Sequence, residues 1–213
     1  MKNTSNRRSF VKSSAAIAAG AILAPMTGRS NTPTYPTQTS DLYLIGPKEG
    51  YSPRIGTLLS TMTMMRAWIV RQVEDLTPTQ LDFQIDDKSN SIGAMLYHLA
   101  ASEKYYQLNT FDEISWGEWD KEIAEEWDVP MNLGEVGRNK IKGNNIDFYL
   151  SKLKEVRAVT ESEFAKRDDI WLDINEPFFG NQPTNNHCKW FHVCEHESNH
   201  NGQIKFIKAR LSE

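Results

Sequence analysis

The chain has 213 residues and a formal charge of −4, enough length for one domain with a substantial core and too little for two. The charge is divided unevenly. The first 30 residues hold five basic residues and no acid, whereas the rest carries 19 basic against 28 acidic residues. So acidic a body argues against nucleic acid or an anionic membrane surface as partner, and no run approaches the ~20 apolar residues of a membrane-spanning helix. Two cysteines, Cys188 and Cys194, stand six apart. On one helix they would be about 9 Å apart along the axis, too far for a disulfide, so the expectation is two buried free thiols.

The N-terminus, Ser5-Asn-Arg7-Arg8-Ser-Phe10-Val-Lys12 followed by a weakly apolar run from Ser13 to Ala24, resembles a twin-arginine export signal. Residues 1–24 are therefore expected to be a signal peptide, directing an already folded protein to the periplasm or the exterior. Residues 25–50, rich in Thr, Pro, Ser and Gly, read as a disordered linker, and the folded domain is expected over 51–213.

Ser52-Pro53 is a helix opening, and Ile55, Leu58, Leu59, Met62, Met65, Ile69, Val73 and Leu76 form a stripe at helical spacing. Arg66 interrupts the stripe and reads as a stem running out to solvent, with a buried carboxylate partner as the alternative. Thr77-Pro78 begins a second short helix. Ser91 caps a helix carrying Ile92, Met95, Leu96, Leu99, Tyr105 and Tyr106, with His98 on its flank. Residues 109–144 lack a long period. They are acidic and tryptophan-rich, with a short helix expected near Asp120 to Trp127, and read as a crossover docked on the bundle or a lid. A further helix from about Asn145 to Lys166 is interrupted by Arg157, and 168–186 is an irregular connection broken by Pro177, Gly180 and Pro183. Four amphipathic helices without a convincing strand predict an all-α four-helix bundle with a long crossover.

The last helix, expected over His187 to Leu211, contains His192-Val-Cys-Glu-His196-Glu-Ser-Asn-His200. At about 100° per residue, Val193, Ile204, Ile207 and Leu211 define an apolar direction along which His196 and His200 both point, with His192 at its edge. Imidazoles four apart on one face can share a metal ion, whereas His192 and His200 lie about 12 Å apart along the axis. His196 and His200 are thus the candidate ligands, and His192 a bystander. A buried pair satisfied by hydroxyl or backbone groups is the alternative. The spelling H-E-x-x-H raises a zinc-peptidase alternative with Glu197 as base, but no downstream histidine supplies a third ligand.

The segment Asn90-Ser-Ile-Gly-Ala-Met-Leu-Tyr-His98-Leu-Ala, together with His196-x-x-x-His200-x-Gly202-Gln203-Ile204, resembles the DinB-like superfamily. The resemblance covers roughly residues 51–213. It implies a four-helix bundle, often a homodimer, with a three-histidine site of His98, His196 and His200. It also implies a divalent metal cofactor, zinc or nickel suiting three neutral imidazoles better than manganese. The expected function is a metal-dependent transferase or hydrolase acting on a small molecule. A non-catalytic metal-binding or sensing module is the alternative, and a zincin-like hydrolase with Glu197 as base a third reading.

Overall fold

The computed structural model describes residues 42–211; the twin-arginine-like segment and most of the expected linker lie outside them. Four long helices make the bundle: α1 (Pro53–Val73), α3 (Ile92–Thr110), α6 (Ile146–Phe164) and α7 (Asn186–Lys208). Shorter helices α2 (Pro78–Asp82), α4 (Lys121–Asn132) and α5 (Gly134–Lys140) lie in the connections. Helix α3 packs against α6, α7 and α4, and α1 packs against α7 and α6. Among the described residues, no helix is long and apolar enough to cross a membrane.

The caps explain where the helices begin. Ser91, Asn145 and Asn185 each accept a backbone N–H from the first turn of α3, α6 and α7. Thr77 and Gln80 form a reciprocal capping box on α2. Ser52 behaves differently: its hydroxyl donates to Asp169 at 2.6 Å, and Asp169 Oδ1 accepts the N–H groups of Arg54 and Ile55 at 2.9 and 3.2 Å. The first turn of α1 is thus capped by a carboxylate from the loop after α6. Residues 46–48, expected to be linker, also lie against α1. Gly46 N–H donates to Ser60 Oγ at 3.2 Å, and a Cβ on Gly56 would fall 2.5 Å from the Lys48 backbone nitrogen. Glycine at 56 permits that approach.

The connection from 168 to 186 contains a two-stranded antiparallel hairpin, β1 (Asn175–Pro177) with β2 (Pro183–Asn185). The expectation of no strand is corrected here. Three-residue strands flanked by prolines and largely exposed leave no alternating pattern to detect. The crossover is likewise more helical than expected. Helix α4 runs to Asn132, and Leu133 and Gly134, both at positive φ, turn the chain into α5.

Two apolar clusters fill the bundle. One is built on Ile69, Met95, Leu99, Leu153, Val156 and Ile204. The other is built on Ile55, Leu59, Met62, Phe164, Trp190 and Val193. Four buried charged residues, one from each long helix, meet in a layer: Arg66, Glu103, Arg157 and Glu197. Arg66 donates to Glu103 at 2.7 Å, to Glu197 at 2.5 and 3.0 Å, and to the Leu153 carbonyl at 2.8 Å. Arg157 donates to Glu103 at 2.8 and 3.2 Å and to Glu197 at 3.0 Å. Burial pushes the Glu103 carboxyl up, but Arg157, Arg66 and a Thr160 hydrogen bond outweigh it and hold the group at about 2. The Arg66 stem therefore does not run out to solvent. Two cations facing two hydrogen-bonded anions offset enough of the desolvation cost to keep the layer inside.

Candidate metal centre

Helix α7 is buried along two sides, because α1 and α3 both pack on it. Its buried residues recur at three- and four-residue steps: Asn186, Lys189, Trp190, Val193, Cys194, Glu197, His200, Asn201, Ile204 and Ile207. Glu197 occupies the middle of this seam, and all three of the guanidinium N–H groups it accepts fall on Oε1. That ties the carboxylate to Arg66 and Arg157 through Oε1, with Oε2 buried and accepting nothing, an arrangement that weighs against Glu197 as a catalytic base. The buried face is broader than the apolar direction set by Val193, Ile204, Ile207 and Leu211, because two helices pack on it.

His200, in this seam, and His196, at its edge, face α3 and meet His98. The Nε2 atom of His196 lies 3.2 Å from Nε2 of His98 and 3.0 Å from Nε2 of His200. One ligand nitrogen from each of the three falls within 4.8 Å of the others. His98 Nδ1 is 3.0 Å from the Pro130 carbonyl oxygen, which can only accept, so this nitrogen carries the ring proton. His200 Nδ1 donates in the same way to Gln203 Oε1 at 3.0 Å. Both rings therefore turn bare Nε2 lone pairs toward His196, which has at most one proton to give at that position. A cation among the three removes this conflict. Nitrogens held at about 2.1 Å from one ion stand roughly 3.0–3.4 Å apart for right-angle to tetrahedral geometry, matching the two close separations. The residues fit a divalent metal.

Electrostatics favour the same state. Burial, reinforced by neighbouring imidazoles, pushes His196 down to about 3 and His200 down to about 4. Burial also lowers His98, against the opposing hydrogen bonds to Pro130 and Met131. Neutral imidazoles are the form that binds metal.

The support of His98 comes from the crossover, past the Asp120–Trp127 stretch where a short helix is expected. Pro130 lies in the last turn of α4, and Ser102, one turn after His98, donates to Met131 Sδ at 3.6 Å. Asp128 accepts hydrogen bonds from Tyr105 Oη and from Trp119 Nε1. The crossover is thereby fixed over the middle of α3. Nothing in the sequence marks a carbonyl as a histidine partner. Gln203, three residues after His200 on the same helix, carried a readable signal in its spacing.

His192 is not brought into the group. Its Nδ1 lies 3.3 Å from Glu195 Oε2, and its ring stacks on His196 at 5.5 Å and 11°. Of the two thiols, Cys194 is buried, as expected, and burial pushes it up to about 11. Cys188 is exposed, contrary to expectation, because it lies in the first turn of α7 on the side away from the seam.

The sequence matches no curated protein. A family model described as mycothiol-S-transferase matches residues 57–212, which takes in α3, α6 and α7 whole, α1 from its second turn and all three histidines, and the chain thus belongs to the mycothiol-S-transferase family, a DinB-like family.

Proposed function

We propose that this protein is a metal-dependent transferase that moves an electrophilic carbon group onto the sulfur of a low-molecular-weight thiol. The observation that carries the reading is the convergence of three imidazole nitrogens, two with their protons held elsewhere, in a chain of this family. A divalent ion held there, zinc or nickel by donor type, would supply positive charge and an open coordination position. The chain's own contribution is to keep the three rings neutral by burial and to aim them through Pro130 and Gln203.

Transfer to sulfur suits this site better than hydrolysis. No carboxylate belongs to the metal-competent group found among the described residues, and Glu197 and Asp128 are engaged by arginines and by Tyr105 and Trp119. A thiol with a pKa of about 8.5 needs a shift of only roughly 1.5 units to ionise at pH 7. Water needs about nine, with a base to help. Charge alone can activate the first nucleophile. On the twin-arginine-like segment, we also propose that the chain acts outside the cytoplasm, its thiol being one present there.

The test is elemental analysis of the full chain purified without a histidine tag, paired with thiol-consumption assays using mycothiol and other small thiols. Expected are about one metal per chain, its loss in His98→Ala and His200→Ala, and thiol transfer that follows metal content. Stoichiometric metal surviving both substitutions, or turnover indifferent to metal, would overturn the proposal.

A further inference from the structure

Beside the histidines, five rings close a circuit that the metal site does not need. Trp116 meets Tyr106 with ring centroids 5.2 Å apart, Tyr106 meets His192 at 6.0 Å, and His192 meets Phe179 at 5.2 Å. Phe179 meets Phe178 at 5.0 Å, and Phe178 returns to Trp116 at 5.2 Å. The rings come from α3, the loop after it, the hairpin turn and α7. Packing alone would bury them, yet Trp116 is 40% exposed, Phe179 38%, and the His192 side chain 39%. Through His192, stacked parallel on His196, this half-wet aromatic rim is continuous with the metal site.

The rim is a built feature. Lys189, buried on α7, donates to Glu176 on β1 and, at 2.9 Å, to Asn109 on α3, and its ammonium lies 4.6 Å from the centre of the Phe178 ring. The hairpin that supplies Phe178 and Phe179 is thereby pinned across the trench between α3 and α7. The segment that supplies Trp116 is acidic, residues 112–128 holding eight acids and one lysine. Such a field repels anions.

We infer that this rim is the binding subsite for the planar aromatic part of a neutral or cationic electrophile, the co-substrate that receives the thiol. The inference rests on the transferase reading for its chemistry, and on the rim alone for its ligand class. Exposed ring faces next to a reactive centre gain most by stacking a flat apolar group. With 1-chloro-2,4-dinitrobenzene as probe, sulfur bonds to the ring carbon bearing chlorine and the C–Cl bond breaks. Chloride leaves with the electron pair, the thiol proton goes to solvent, and nothing is oxidised.

The metal-loaded full chain is assayed with that probe, with anionic 4-chloro-3-nitrobenzoate and with small aliphatic iodoacetamide. The neutral aromatic probe should exceed the anionic one at least tenfold in kcat/KM, after correction for their uncatalysed rates. Phe179→Ala and Trp116→Ala should each lower the preference for the aromatic probe over iodoacetamide at least tenfold, mainly through KM. Phe206→Ala, an exposed ring about 21 Å further along α7 than His192, should leave all three rates unchanged. Independently of turnover, 2,4-dinitroaniline should quench tryptophan fluorescence saturably, with a dissociation constant raised at least tenfold by Phe179→Ala. Equal loss for aromatic and aliphatic probes, preference for the anion, or quenching untouched by Phe179→Ala would overturn the inference. Phe179-dependent quenching without any thiol transfer would sink the transferase reading and uphold the aromatic subsite.

Discussion

Replacing Glu197 by glutamine separates a structural carboxylate from a catalytic one. The side chain is nearly isosteric, so no cavity opens, but the buried layer passes from two cations facing two anions to two facing one. Removing one partner from a buried ion pair costs about 3–5 kcal/mol. At roughly 2–4 °C per kcal/mol for a domain of this size, the melting temperature should fall by on the order of 6–20 °C. The double variant Arg66→Met/Glu197→Gln leaves Arg157 doubly bonded to Glu103 and restores charge balance. It should therefore be more stable than the sum of the single variants predicts, by about 1–3 kcal/mol. Urea and thermal denaturation at fixed zinc would measure both, with metal content determined on the folded fraction. Glu197→Gln melting within a degree or so of the parent while losing turnover would refute the assignment and return Glu197 to the chemistry.

The remaining expectations concern the site and its frame. In the metal-free protein His196 and His200 titrate at about 3 and about 4, below the ordinary histidine value of 6.5. The unfolded chain therefore takes up protons first, and stability present above pH 6.5 should be lost as pH falls toward 4. Glu103 adds a second loss only below its ordinary value of 4.5, toward 2. Thermal melts between pH 7 and 4 should show the decline in metal-free protein and one at least as steep in metal-loaded protein, whose ligand nitrogens take up no proton while the ion is held; a flat profile without metal would contradict the buried, neutral state. Gln203→Ala frees the His200 ring and should weaken metal binding about 10–100-fold, read by competition with a chromogenic chelator. Asp169→Ala removes the cap of α1 and should cost about 0.5–2 kcal/mol, with metal content unchanged.

How far the sequence could be read depended on where each residue's partner lay. Helical stripes and caps are local, so Ser91, Asn145 and the α7 pair of histidines could be placed from spacing alone. His98 required the family resemblance, because a single histidine on a helix flank has no local mark of ligation. Arg66 and Arg157 interrupt their stripes identically whether their heads reach water or a carboxylate. What decides is Glu103 and Glu197, 37 and 131 residues from Arg66. The support from Pro130 is a backbone atom and leaves no side-chain signature. The tryptophan-rich crossover could be read as a docked segment, but the ring circuit forms only when the hairpin, itself hidden by its prolines, folds against it.

The charged layer also fixes how the helices are aligned along their length. Sliding α3 or α7 by one turn moves its carboxylate about 5.4 Å from both guanidinium groups and strands buried ions. Because Glu103 lies five residues from His98 and Glu197 adjoins His196, the same constraint sets the axial position of the histidines. The bundle thus works as its own gauge: the register that pairs the carboxylates with the guanidinium groups also brings three nitrogens from two separate helices to bonding distance of one point.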